Sequence, residues 1–216
     1  AVILGAPWRE EGKLYNAALL LDGGKIAAQR FKHLLPTYGV FDEDRVFARG
    51  PAPGPMSFKD VRLGVMICED MWQPDVTETL DESGAEMLIV LNGSPFDVDK
   101  SDVRLNLAVA RVSESRLPLV YVNQVGGQDE LVFDGRSFVL GADRSLRTRA
   151  PAWTERLLMT DWSRNGAGWV CASGPIESPD ESSEDDSESI YQAMVLGLRD
   201  YVTKNRFPGV VLGLSG

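Results

Sequence analysis

Short apolar runs recur along this chain, with turn residues between them. Val2-Ile3-Leu4, Ala17 to Leu21 and Lys25 to Gln29 each read as a strand. Asp22-Gly23-Gly24 joins the last two as a hairpin, because glycine accepts positive φ at little cost. Arg62 to Ile67, Met87 to Leu91, Leu117 to Val122, Ser137 to Leu140 and Arg156 to Thr160 read as further strands. Asp134-Gly135 and Gly141 to Asp143 supply turns around one of them. Two helices fall between the middle strands. Pro74 to Ser83 is a short one that Gly84 is placed to end. Ser101 to Ser115 sets Val103, Leu107 and Ala110 at helical spacing, and Pro118 stops it, having no N–H to donate. Strand–helix–strand–helix–strand over residues 62–122 predicts a βαβ arrangement. The hairpins on either side predict that the sheet is mixed.

Residues 174–189 offer almost nothing to bury. Gly174, Pro175, Pro179, many serines and a run of acids make them a solvated linker. Ile190 to Asn205 reads as an amphipathic helix with Tyr191, Met194, Val195, Leu198, Tyr201 and Val202 on one face, capped by Ser187 or Ser189. Val210-Val211-Leu212 reads as a last strand, running into Gly213-Leu214-Ser215-Gly216. No internal repeat is visible. The chain opens on an apolar run without Met and closes on a glycine-rich turn, so a fragment of a longer protein is expected.

Composition narrows the class. A chain of 216 residues is long enough for one well-buried core, or for a domain with an appendage. Hydrophobic residues at 44% and charged residues at 25% are the ordinary mix of a soluble globular protein. No apolar run approaches the roughly 20 residues of a membrane helix, and the opening segment lacks the basic leader of a signal peptide. No membrane partner is expected. The net charge is −10, but seven of the acids fall between Glu177 and Glu188, so the remainder is only mildly acidic. Nucleic-acid binding by phosphate neutralisation is therefore not expected. Two cysteines and one histidine suggest neither a disulfide scaffold nor a metal site. A cytoplasmic, reducing location fits that usage.

The sharpest local signal is Gly64-Val65-Met66-Ile67-Cys68-Glu69-Asp70-Met71-Trp72. An apolar strand ends on a cysteine, and an acidic step follows before a helix. A thiol at such a turn stands at the sheet's carboxyl edge, where nearby N–H groups can lower its pKa and hold an oxyanion. Cys68 also reads as a small buried hydrophobe. The second signal is Phe31-Lys32-His33-Leu34-Leu35-Pro36-Thr37-Tyr38-Gly39-Val40-Phe41-Asp42-Glu43. A lysine just past a strand in an aromatic loop reads as a surface cation, or as an oxyanion holder if it lies near a thiolate.

Taken in order, K-x-x-L-P-x-Y-x-V-F-D-E and G-V-x-I-C-E-D-x-W resemble the nitrilase superfamily, and more narrowly the glutaminase domain of glutamine-dependent NAD⁺ synthetases. Leu91 to Phe96 with Lys100 and Arg104 is similar to the segment that follows in that family. Leu196 to Val202 and Gly209 to Gly216 resemble the start of its synthetase domain. The resemblance implies an α/β fold, a nitrilase-like four-layer α-β-β-α sandwich with mixed sheets, N-terminally truncated in this chain. It implies residues 1–173 as the carbon-nitrogen hydrolase (glutaminase) domain, 174–189 as an acidic linker, and 190–216 as the start of an ATP-dependent synthetase domain.

It also implies roles. Cys68 is the nucleophile, and Lys32 holds the oxyanion with the backbone N–H of Glu69. The superfamily's general-base glutamate would lie ahead of Ala1. Tyr38, Glu69, Ser94 and Lys100 are candidates for binding substrate, and each has a plain structural reading beside it. Glu43 is a candidate support for Lys32. Ser215 and Gly216 would open a nucleotide-binding phosphate loop. Thr37 stands where the family usually has Asn. Glutamine, deamido-NAD⁺ and ATP are the implied substrates, with Mg as the ion of the synthetase domain and no covalently bound cofactor. A homo-oligomer is implied. The alternative is a free-standing nitrilase-type amidase. His33, Trp72 and Phe96 read as structural, and Cys171 has no assigned role.

Overall fold

The computed structural model describes residues 1–98, 100–176 and 186–215. Three antiparallel strands open the chain, β1 (Val2–Glu10), β2 (Lys13–Asp22) and β3 (Lys25–Phe31), with β2 between the other two. The expected hairpin joins β2 to β3, with Gly23 at φ +55° and Gly24 at φ +73°. The first expected strand runs well past Leu4, because every residue to Glu10 finds a partner on β2.

A six-stranded sheet follows. Its elements in chain order are β4 (Met56–Phe58), β5 (Val61–Ile67), α1 (Pro74–Glu82), β6 (Met87–Asn92), α2 (Lys100–Ser115) and β7 (Leu119–Asn123). After a separate hairpin of β8 (Val125–Gln128) and β9 (Leu131–Asp134), β10 (Phe138–Leu140) and β11 (Leu146–Arg149) complete the sheet. β5, β6 and β7 are parallel, as the βαβ reading requires, and β4, β10 and β11 run antiparallel to their neighbours. The sheet is mixed, as expected.

Alternation along β5 explains the layering. Leu63, Val65 and Ile67 face one side and join Ala18, Leu20 and Met56, which closes the two sheets over a shared core. Met66 faces the other side, where Val76 and Leu80 of α1 and Ala108 and Val112 of α2 cover it. Each fully buried Leu, Val or Met there stabilises the fold by about 1.5–3 kcal/mol. Helices, large sheet and small sheet thus form three layers among the described residues.

The pattern misplaces four features. Arg156–Thr160 is not a strand: Leu157 is 86% exposed, and the pairing occurs later, between β12 (Trp162–Asn165) and β13 (Gly168–Cys171). The buried face of α2 is Arg104, Ala108, Arg111, Val112 and Ser115, while Val103 is exposed. The last helix, α3 (Asp186–Lys204), begins ahead of both Ser187 and Ser189, so neither serine caps it. It buries Ala193 and Leu196 and leaves Tyr191, Met194, Leu198 and Tyr201 exposed. Small residues decide its docking, because Gly197 lets the helix approach Gly127 of β8 so closely that a Cβ there would meet Gly197 Cα at 3.0 Å. Val210 to Leu212 is exposed and forms no strand. Most of the acidic linker and Gly216 lie outside the described residues.

Candidate active site

β5 ends at Ile67, and the chain turns at Cys68 into a single 3₁₀ turn, Cys68–Met71. Asp70 accepts the Ile67 N–H at 3.1 Å, and Met71 is buried in the helix-side core, which fixes the turn at both ends. Cys68 sits at φ +48°. A residue with a Cβ avoids that region, and strain of this kind collects where a side chain must be aimed. Here the thiol is held at the carboxyl edge of the parallel strands.

Lys32 is the first residue after β3. Its N–H donates to Asn16 O at 2.8 Å and its carbonyl accepts from Gly50 N at 2.9 Å, so its backbone is pinned from both sides. The side chain is 1% exposed, and Nζ donates to Glu43 Oε1 at 2.6 Å. Asn16 Nδ2 reaches Glu43 Oε2 at 3.4 Å. Burial removes a lysine from water at high cost, and this lysine has a carboxylate in compensation. The reading of Lys32 as a surface cation is thereby excluded.

Cys68, Lys32 and Glu43 line one cavity of about 470 Å³, with Asn16, Phe41 and Asn123 among the other walls. Burial pushes the Cys68 thiol up from its ordinary value; the Lys32 ammonium acts against that, Glu69 and Glu43 add to it, and Lys100 opposes it. The arrangement offers a thiol, a paired ammonium and a carboxylate around a space with apolar walls. That set can attack a carbonyl carbon and hold the resulting oxyanion.

A second cavity of about 420 Å³ shares Phe41 with the first and is lined also by Tyr38, Phe96, Lys100 and Val132. The Tyr38 hydroxyl donates to the Glu69 carboxylate at 2.8 Å. Partial burial, and then that carboxylate, hold the phenol well above its ordinary pKa. Tyr38, Glu69 and Lys100 therefore stand close to the Cys68 pocket. Ser94 is buried between residues that wall the two cavities, Gly93 of the first and Pro95 of the second, and itself lines neither. Its Oγ accepts from Arg104 Nε at 3.0 Å and its N–H donates to Asn123 Oδ1 at 2.9 Å, which holds the loop after β6. Arg104 anchors that loop by pairing with Asp134 at 2.7 Å while donating to the Ser94 and Pro95 carbonyls.

The remaining expectations divide. His33 Nδ1 lies 2.8 Å from Gly50 O, and Phe96 packs edge-on against Trp153 while also lining the second cavity. Ser215 is exposed, and Gly216 lies outside the described residues. Among the described residues, no group of three or more acidic, histidine or cysteine side chains could hold a metal ion. Asn16 is the site residue that sequence reasoning missed. The signal for Asn16 was a polar residue inside an apolar strand, next to Ala17 and Ala18.

The carbon-nitrogen hydrolase family profile matches residues 1–169. A glutamine-dependent NAD(+) synthetase from Rhodobacter capsulatus is 46% identical over the whole of this chain, which spans 38% of that relative's length. The solved structure of a glutamine-dependent NAD⁺ synthetase from Acinetobacter baumannii, in complex with ADP, superposes with a TM-score of 0.86 at 35% identity, covering 96% of this chain and 39% of that one. An amidase from Nesterenkonia sp. AN1, a variant with an acetamide moiety added covalently at its active-site cysteine, matches at 26% identity with a TM-score of 0.59, over 69% of this chain and 56% of that one. The fold is the nitrilase-like fold of these enzymes. With its profile match over most of its length, a thiol at the strand end and a buried lysine in the same pocket, the chain belongs to the carbon-nitrogen hydrolase family.

Proposed function

We propose that this chain is the glutamine-hydrolysing part of a glutamine-dependent NAD⁺ synthetase, with residues 1–173 as the amidase domain, 174–189 as a linker and 190–216 as the start of the synthetase domain. The observation that carries the reading is the shared cavity of Cys68 and the buried Lys32–Glu43 pair. The 46% identity to the Rhodobacter relative supports it over a free-standing amidase. The family match that ends at residue 169 supports the domain boundary.

The chemistry follows from the residues. The general-base glutamate that the family resemblance places ahead of Ala1 takes the Cys68 proton, and the thiolate attacks the side-chain carboxamide carbon of glutamine. Lys32 and the Glu69 N–H stabilise the oxyanion. The C–N bond breaks, and the nitrogen leaves as ammonia with the returned proton. Water then hydrolyses the γ-glutamyl thioester to glutamate and free thiol. Tyr38, Glu69 and Lys100 around the second cavity are suited to the charged amino and carboxylate groups of the amino acid. In the whole protein, the ammonia is consumed in the ATP- and Mg-dependent amidation of deamido-NAD⁺ to NAD⁺, with Ser215 and Gly216 opening the nucleotide-binding loop. The protein is a cytoplasmic homo-oligomer on this reading. No helix among the described residues is long and apolar enough to cross a membrane.

The test is Cys68→Ala in the full-length protein. Glutamine-driven NAD⁺ formation is expected to vanish while formation from free ammonia continues. Loss of both activities would contradict the reading, because Cys68 would then be needed for structure rather than for ammonia supply.

A further inference from the structure

We infer that Asp70 is a positioning residue whose carboxylate holds the Cys68 turn and the Lys32 loop in one register. The inference rests on the amidase reading of those two side chains. Asp70 is 1% exposed. Its two oxygens are divided between two segments far apart in sequence. Oδ1 accepts the His33 N–H at 3.0 Å and the Leu34 N–H at 2.8 Å, and Oδ2 accepts the Ile67 N–H at 3.1 Å. His33 and Leu34 follow Lys32 directly, and Ile67 directly precedes Cys68. One buried group therefore ties the backbone beside the ammonium to the backbone beside the thiol.

The tie matters because the lysine loop has no ladder of its own. Residues 32–37 belong to no helix or strand, so their amides need partners from elsewhere. A carboxylate can accept on both oxygens at once, which an amide side chain cannot do. The other side-chain tie across these segments, Tyr38 to Glu69, lies at an exposed position. Burial raises the Asp70 carboxyl above the usual carboxylate range, while the Leu34 and Ile67 amides, the Lys32 ammonium and the His33 amide pull it back.

Asp70→Asn in the full-length protein tests this. One oxygen still serves one segment, but an NH₂ group meets the N–H of the other. The expected result is a fall in kcat for glutamine hydrolysis of about ten- to a hundredfold, with KM changed by less than about threefold. The rise of Cys68 alkylation with pH should also move to higher pH. Lys32, Glu69, Glu43 and Lys100 are the charged groups that act on the thiol, and the titratable Tyr38 and Tyr121 hydroxyls feel it in turn. Removing a negative charge at Asp70 can by itself only ease ionisation of the thiol, so a shift to higher pH reports displacement of Lys32. A folded variant with wild-type kcat and an unmoved alkylation profile would overturn the inference. If the variant does not fold, amide exchange on the wild-type protein decides. The inference requires slow exchange at His33, Leu34 and Ile67, and fast exchange at His33 and Leu34 overturns it. A wild-type protein inactive on glutamine, yet with these slow amides and the same alkylation shift on Asp70→Asn, would sink the amidase reading and leave the role of Asp70 standing.

Discussion

Lys32 Nζ and Glu43 Oε1 are 2.6 Å apart, and the two ends of the pair differ in their access to water. The lysine side chain is 1% exposed and the glutamate side chain 18%. That asymmetry decides which half of the pair the fold can lose. Glu43→Gln strands an ammonium with almost no water and is expected to cost about 3 kcal/mol of stability. Lys32→Met leaves a carboxylate that keeps some water and the Asn16 amide, so it should cost less. Lys32→Met nonetheless removes the oxyanion partner and should reduce glutamine hydrolysis more than Glu43→Gln does. Urea unfolding and steady-state kinetics on the two variants check the opposite orders.

The Cys68 thiol yields a pH prediction. Burial lifts it above an ordinary thiol, and Lys32 opposes the lift. Its alkylation rate by iodoacetamide should therefore rise with pH later than that of a free cysteine, and Lys32→Met should delay it further. The sign for stability follows. The folded chain holds the thiol proton more tightly than the unfolded chain. The contribution of Cys68 is thus fully present below the ordinary thiol range and is lost as pH rises through the raised value. Cys68→Ala should flatten that alkaline decline in urea melts.

Gly50 offers a test remote from the thiol. A Cβ there would lie 2.5 Å from Phe31 Cβ and 2.9 Å from Phe31 O. Phe31 is the last residue of β3, and Lys32 follows it. Gly50→Ala must push that strand end and loosen the Gly50 N to Lys32 O bond. A loss of about 1–3 kcal/mol is expected, with a drop in kcat that exceeds any change in KM. Wild-type kinetics in a destabilised variant would separate the Gly50 contact from the site.

The buried pair of Arg104 and Asp134 provides a fourth prediction. The Arg104 guanidinium reaches Asp134, the Ser94 hydroxyl and two carbonyls of the loop that walls the second cavity. Asp134→Asn leaves that cation without its counter-charge and should cost about 3–5 kcal/mol. Thermal unfolding in parallel with the wild type gives the answer.

The middle of the fold was readable because its elements are buried on both faces. Leu63 to Ile67 and Met87 to Leu91 are apolar runs; α1 lies between them and α2 follows the second, with stop signals at Gly84 and Pro118. Cys68, Lys32 and Glu43 were legible because they lie in two recognisable motifs. The misses have physical causes. β8 contains Gly126 and Gly127, which carry no apolar pattern to mark a strand; their lack of side chains serves the approach of α3. The exposed aromatic and aliphatic side chains of α3 suggested the wrong face, since apolar periodicity says which residues resemble each other, not which ones find a partner. Asp70 stands in the acidic step after Cys68, where a contact to substrate or to the next helix end reads as well as any. Its three backbone donors come from two segments whose proximity only the fold creates.

Covalent labelling tests most directly whether Cys68 and Lys32 form an amidase site. The full-length protein is treated with a glutamine analogue that carries a chloromethyl ketone in place of the carboxamide, and the adducts are mapped by peptide mass spectrometry. Modification confined to Cys68, slowed by excess glutamine and by Lys32→Met, with buried Cys171 untouched, is the predicted result. Equal modification of Cys68 and Cys171, or labelling of Cys68 that neither glutamine nor Lys32→Met slows, would contradict it.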